Sequence, residues 1–182
     1  MILAGTAVVL VLAGVIFLTL RSTEAEPVPQ RGAQFPNGGN TSTSLPAGML
    51  LVKAGEEGEI EVNDFIRDGI TVADVVNPGS YVLAGELGYC LADGTCPKAA
   101  DTPHFSISYH EASGTFTIQL LAEPLGEVRR EAETHLRNRL GISNPLMCTL
   151  NYYLGTPSFV NEAYSNGNIG FSYCAGAAAL PE

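Results

Sequence analysis

Hydrophobic and polar positions follow three different patterns along this chain, and each predicts a different kind of structure. Residues 1–20 contain no charged side chain. An apolar run of that length, rising about 1.5 Å per residue, covers the roughly 30 Å hydrocarbon thickness of a bilayer as a helix. It predicts a transmembrane helix over 1–20 that places the lipid bilayer among the partners, and Arg21 ends it. Residues 21–48 are dominated by Pro, Gly, Ser, Thr and Asn, with Val28, Phe35 and Leu45 as their large apolar side chains. Such a segment cannot bury enough surface to offset its ordering entropy, so it predicts a flexible stalk. As a random coil it would reach about 30 Å.

The third pattern occupies residues 49–182 and mixes two periods. Short strands are predicted over 49–52, 59–62 and 81–84, with Asn77-Pro78-Gly79 as a turn before the last of them. Phe105, Ile107 and Tyr109 alternate with Ser106 and Ser108. After Glu111-Ala112-Ser113-Gly114, Phe116, Ile118 and Leu120 alternate with Thr115, Thr117 and Gln119. Period two on both sides of a short Gly-containing loop predicts a hairpin with one apolar and one polar face. The period then changes. Leu125, Val128, Ala132, Leu136 and Leu140 recur at helical spacing, with Pro124 suited to the first helical position. Glutamates lie toward the start of this stretch, and Arg137 and Arg139 toward its end, matching the helix dipole. Glu133 and Arg137 stand at the spacing of an i,i+4 ion pair. Gly141 fits the stop, and Pro145 is expected to prevent resumption. Two further strands are predicted over 148–154 and 169–174, with Asn166-Gly167 as a turn between them. The fold class is therefore α+β: a small, mostly antiparallel sheet with one main helix packed on it.

Charge narrows the partners. The net charge is −10 and the pI is about 4.6, which argues against nucleic acid and against an anionic lipid surface. The acidic cluster Glu56, Glu57, Glu59, Glu61, Asp64 and Asp68 lacks the register of a calcium loop and reads as a solvated edge. His104, His110 and His135 are too few and too scattered for a His-rich metal site; a proton-transfer role for His110 with Glu111 is the sharper alternative. No nucleophile-elbow, zinc-protease or phosphate-loop motif occurs, so no catalytic residue, metal ligand or cofactor is assigned.

The four cysteines carry the strongest chemistry. A three-residue turn Ala92-Asp93-Gly94, with Gly94 left-handed, would bring Cys90 opposite Cys96. Cys148 and Cys174 lie at the outer ends of the two tail strands. Pairing 90–96 and 148–174 is preferred among the three possible connectivities. Free buried thiols and a metal site are the alternatives; the spacing lacks the close pairs of structural zinc. Disulfides favour an extracytoplasmic domain. Arg21, by the positive-inside rule, pulls the other way. A cleaved leader ending near Thr23-Glu24-Ala25 competes with the anchor, but no basic region precedes an apolar run this long. A 148–174 bridge would pin the loop between the tail strands, which makes Phe159, Asn161, Glu162, Tyr164, Asn166 and Asn168 the candidate binding surface. Of its aromatics, Phe159 is expected to turn inward.

The order of Val62-Asn-Asp-Phe65, Tyr81-Val-Leu-Ala-Gly85, residues 116–129, Leu140-Gly-Ile142, Cys148-x-Leu150, Gly155-Thr-Pro157, Val160-Asn-Glu162 and residues 168–174 resembles a family of uncharacterised, single-pass, membrane-anchored proteins of candidate-phyla bacteria. The resemblance spans most of residues 50–176 and implies the stalk-and-domain layout and the importance of Cys148 and Cys174. It brings no activity with it. The Cys90–Cys96 stretch lies outside the shared pattern. The expectation is a membrane-anchored extracytoplasmic domain that binds or scaffolds another envelope protein, without catalysis. A subunit of a surface fibre, pilus or secretion apparatus is the alternative, although the acid-free run lacks the usual pilin glutamate. An envelope enzyme comes third.

Overall fold

The computed structural model describes residues 47–182 apart from Glu56, Glu57 and Leu87. The apolar run 1–20 and nearly all of the 21–48 stretch lie outside the described residues. Among the described residues no helix is long and apolar enough to cross a membrane.

Two sheets and one long helix form the domain. Strands β1 (Met49–Ala54) and β2 (Gly58–Asn63) pair antiparallel as a separate two-stranded sheet. A five-stranded sheet runs in the order β3 (Val72–Ala73), β4 (Ser80–Ala84), β5 (Phe105–His110), β6 (Thr115–Leu120), β7 (Tyr152–Gly155). Its first three junctions are antiparallel, and β7 lies parallel to β6. A parallel pair needs a crossover connection, and helix α1 (Leu125–Leu140) supplies it. The fold is thus α+β, with a mainly antiparallel sheet and one main helix.

The predicted hairpin forms with Phe105 opposite Leu120 and Tyr109 opposite Phe116. Because side chains alternate across a strand, Phe105, Ile107, Tyr109, Phe116, Ile118 and Leu120 all face the core and are buried. Leu125, Val128, Ala132, Leu136 and Leu140 meet them from α1. The β1–β2 hairpin adds Val52 and Val62, and Phe65 packs edge-on to Tyr109. Gly141 ends α1 in the left-handed conformation, its N–H donating to the Arg137 carbonyl.

Several expectations are corrected. Pro124 caps α1 instead of opening it, and the Glu123 carboxylate accepts the Leu125 N–H at 3.0 Å. Pro145 does not stop helix formation. It sits in the first turn of a short helix α2 (Asn144–Met147), where its missing N–H goes unneeded. Cys148 is therefore a helix cap, and the strand begins only at Tyr152. Residues 169–174 are not a strand, because Gly170 at φ 77° and the turn from Phe171 to Cys174 break the extended run. The outer edge of β7 is closed differently. The Asn168 amide accepts the Leu154 N–H and donates to the Tyr152 carbonyl, and the Ile169 N–H donates to Leu154. Glu133 and Arg137 form no ion pair. Buried Glu133 accepts from the N–H and hydroxyl of Ser172, and Arg137 donates to Asn144.

Candidate functional site

The helix covers one face of the five-stranded sheet; the polar positions of the same strands form the other. Ser106 pairs with Gln119, and Gln119 with Gly155. Val82 pairs with Ser108, Ser108 with Thr117, and Thr117 with Tyr153. These two rows lie side by side. Among the described residues, the side chains of Ser106, Ser108, Thr117, Gln119 and Tyr153 make no hydrogen bond. Tyr153 is 39% exposed, and its ring leans across Gly155. A Cβ placed at Gly155 would come within 2.7 Å of the Tyr153 ring and hydroxyl. Only a residue without a side chain lets the ring lie there.

The segment from Gly85 to Pro103 folds back beside these rows. Ala84 bridges Ala100 and Glu86 bridges Lys98, and the Gly85 N–H donates to the Ala100 carbonyl. Gly85, at φ 79°, approaches the Ser106 backbone so closely that a Cβ would sit 2.9 Å from Ser106 Cβ. Between this segment and the sheet lies a cleft of about 660 Å³, in the size range of small-ligand sites. Its floor is Val82, Ser106, Ser108 and Gln119; Glu86, Lys98, Asp101 and Thr102 form its wall. Lys98 Nζ stands 3.0 Å from Asp101 and 3.6 Å from Glu86. The hydrogen bond and charge of Asp101, reinforced by Glu86, push the lysine pKa up.

A buried carboxylate anchors the wall. Asp74 accepts the backbone N–H groups of Val76 and Asn77, the Asn77 amide, and the Tyr89 hydroxyl at 2.7 Å. Burial pushes its pKa up, but the four donors outweigh burial and hold it down at about 2. Burial and the adjacent Asp74 raise the Tyr89 pKa. The Cys90–Cys96 disulfide closes the tip of the same segment, with Gly94 left-handed as predicted, although no strands flank it.

The Cys148–Cys174 disulfide also forms, with Cα atoms 5.6 Å apart, and free cysteines are absent among the described residues. Two disulfides fit an oxidising compartment. The bridge joins the cap of α2 to the turn after Phe171, which corrects the expectation that it joins the ends of two adjacent strands. In the loop it brackets, the six candidate residues part company. Phe159 is 84% exposed, so the expectation that it packs inward is overturned. Pro157 offers its carbonyl to Val160 and Asn161, a tight turn that leaves Phe159 at the tip. Glu162 and Asn166 face solvent, whereas Asn161 is tied to Glu123, Tyr164 to the Ala179 carbonyl and Asn168 to β7.

The histidines stay apart. His110 bonds Ser80 at 2.9 Å, while Glu111 accepts from Tyr81. His104 lies 3.4 Å from Glu131. Burial lowers the pKa of His135, which packs against Phe105. Asp64 accepts from Arg67, and Asp68 pairs with Arg139 at 2.7 Å. Those two carboxylates serve local structure, and Glu56 and Glu57 lie outside the described residues. Among the described residues no group of three metal-ligating side chains converges. The cleft was missed in the sequence. Its floor was legible as the polar face of the hairpin, but the fold-back that walls it carries no periodic signal.

A comparison of the chain with protein-family models, curated proteins and solved structures finds no match.

Proposed function

We propose that this is a membrane-anchored, extracytoplasmic binding domain that holds or scaffolds another component of the cell envelope. The observation that carries the reading is the row of half-buried Ser106, Ser108 and Thr117 hydroxyls with the exposed Gln119 amide on the open sheet face, left without partners among the described residues beside a cleft. Polar groups at such positions are most stable when bonded, and a ligand bonds them as well as water does. The two disulfides support the compartment, and the uncharged run over 1–20 supports the anchor. The exposed Phe159 tip, with Glu162 and Asn166, offers a second contact surface to a protein partner.

Photo-crosslinking in intact cells tests this. A photoreactive residue in place of Gln119 should capture an envelope component, and one in place of Glu127 on the exposed side of α1 should not. Equal capture from both positions, or none from either, would remove the reading. Capture dominated by further copies of the chain in a filament would transfer it to a fibre subunit.

A further inference from the structure

We propose that the cleft beside β4, β5 and β6 takes a neutral saccharide chain, with Tyr153 as its stacking platform. The inference rests on the binding reading above and names the ligand class.

Three features of the site select this chemistry. The first is charge. Lys98 is held between Asp101 at 3.0 Å and Glu86 at 3.6 Å. An anionic ligand would meet two carboxylates and an engaged ammonium. A cationic one would have to displace Lys98 from both. A neutral ligand leaves the triad intact.

The second is the alternation of surface types. A pyranose ring presents apolar C–H patches rimmed by hydroxyls, each able to donate and accept. Ser106, Ser108 and Gln119 offer matching donors and acceptors, and aliphatic Val82, beside Ser108, and Leu121, beyond Gln119, line the cleft with them. Tyr153 stands outside the cleft's lining, on the β7 side of Gln119. Its ring lies over Gly155, the residue paired with Gln119, so an exposed aromatic face adjoins the free amide.

The third concerns the main rival, an extended peptide adding itself to the sheet. That mode needs an open edge with free backbone groups. The β7 edge is already occupied by Asn168 and Ile169, and β3 at the other edge is only two residues long. The available groups are side chains on a face, which suit a ligand rich in hydroxyls.

The test is an NMR titration of the full isotope-labelled chain in lipid nanodiscs. The probes are neutral oligosaccharides of glucose, mannose and N-acetylglucosamine at millimolar concentrations. At least one should produce saturable shifts at the Gln119 side-chain amide and at Ser106, Ser108 and Tyr153. Tyr153→Ala should weaken binding about tenfold, as expected for one stacking contact, and Tyr153→Phe should retain it. Gln119→Ala should also weaken it, and Phe159→Ala should leave it unchanged. A dispersed amide spectrum for each variant confirms that it folds. No shift with any sugar, shifts that map elsewhere, or undiminished binding by Tyr153→Ala would overturn the proposal. If the sugars fail while crosslinking through Gln119 still captures an envelope protein, the ligand class falls and the binding role stands. If both fail, both fall.

Discussion

Asp74 and Gly155 each place a tyrosine side chain, Tyr89 and Tyr153. The Asp74 carboxylate fixes the 74–79 turn and, through the Tyr89 hydroxyl, the segment that walls the cleft. Its folded pKa of about 2 lies below the ordinary carboxylate value near 4. A depressed acid contributes its stability above the unfolded pKa and loses it as pH falls through the folded one. Stability should therefore fall between about pH 4 and pH 2, the Tyr89 ring resonances should titrate around pH 2, and Asp74→Asn should flatten both responses. The substitution should also cost about 1 to 3 kcal/mol, because an amide presents donors where donors already point. Chemical denaturation with an NMR pH titration checks both. Gly155 has ordinary backbone angles, so its role is space alone. Gly155→Ala should displace the Tyr153 ring, visible as changed ring-current shifts on Thr117 and Gln119, with little loss of stability. An unmoved ring would mean that Tyr153 is not held over the sheet.

At the scale of elements, the β5–β6 hairpin and α1 were legible because each buries one face and exposes the other. Phe105 to Leu120 keep a strict period of two, and Leu125 to Leu140 a helical one. Leu136 is fully buried between them, so Leu136→Ala should cost about 2 to 5 kcal/mol in equilibrium unfolding. A loss below about 0.5 kcal/mol would mean that α1 does not cover the sheet. Elements held by side-chain hydrogen bonds were not legible. The apolar residues of 169–174 read as a strand, yet Gly170 turns the chain and Glu133 captures Ser172. Nothing at position 133 distinguishes a buried anchor from the surface ion pair its spacing suggested. The cleft wall is set by contacts far apart in sequence, such as Tyr89 with Asp74 and Gly85 with Ala100, which no window on the chain reveals.

Across the described domain, the C-terminal end folds onto α1 through specific hydrogen bonds. The C-terminal residues run along α1: Arg129 donates to the Ala178 carbonyl, and Arg130 holds Glu182 through two bonds of 2.7 Å. Cys148–Cys174 ties that region to α2 and closes a loop of 26 residues. Replacing both cysteines by serine should lower stability by about 3 kcal/mol on chain-entropy grounds, read as a drop in denaturation midpoint. Such bridges persist in oxidising compartments, so they join the fold to the question of place. External protease digestion of intact cells, followed by mass spectrometry of the released fragment without reduction, addresses that question most directly. The account predicts cleavage within residues 21–48 and release of a domain carrying both the 90–96 and 148–174 bridges. Cleavage only after lysis, with free thiols at those positions, would contradict it.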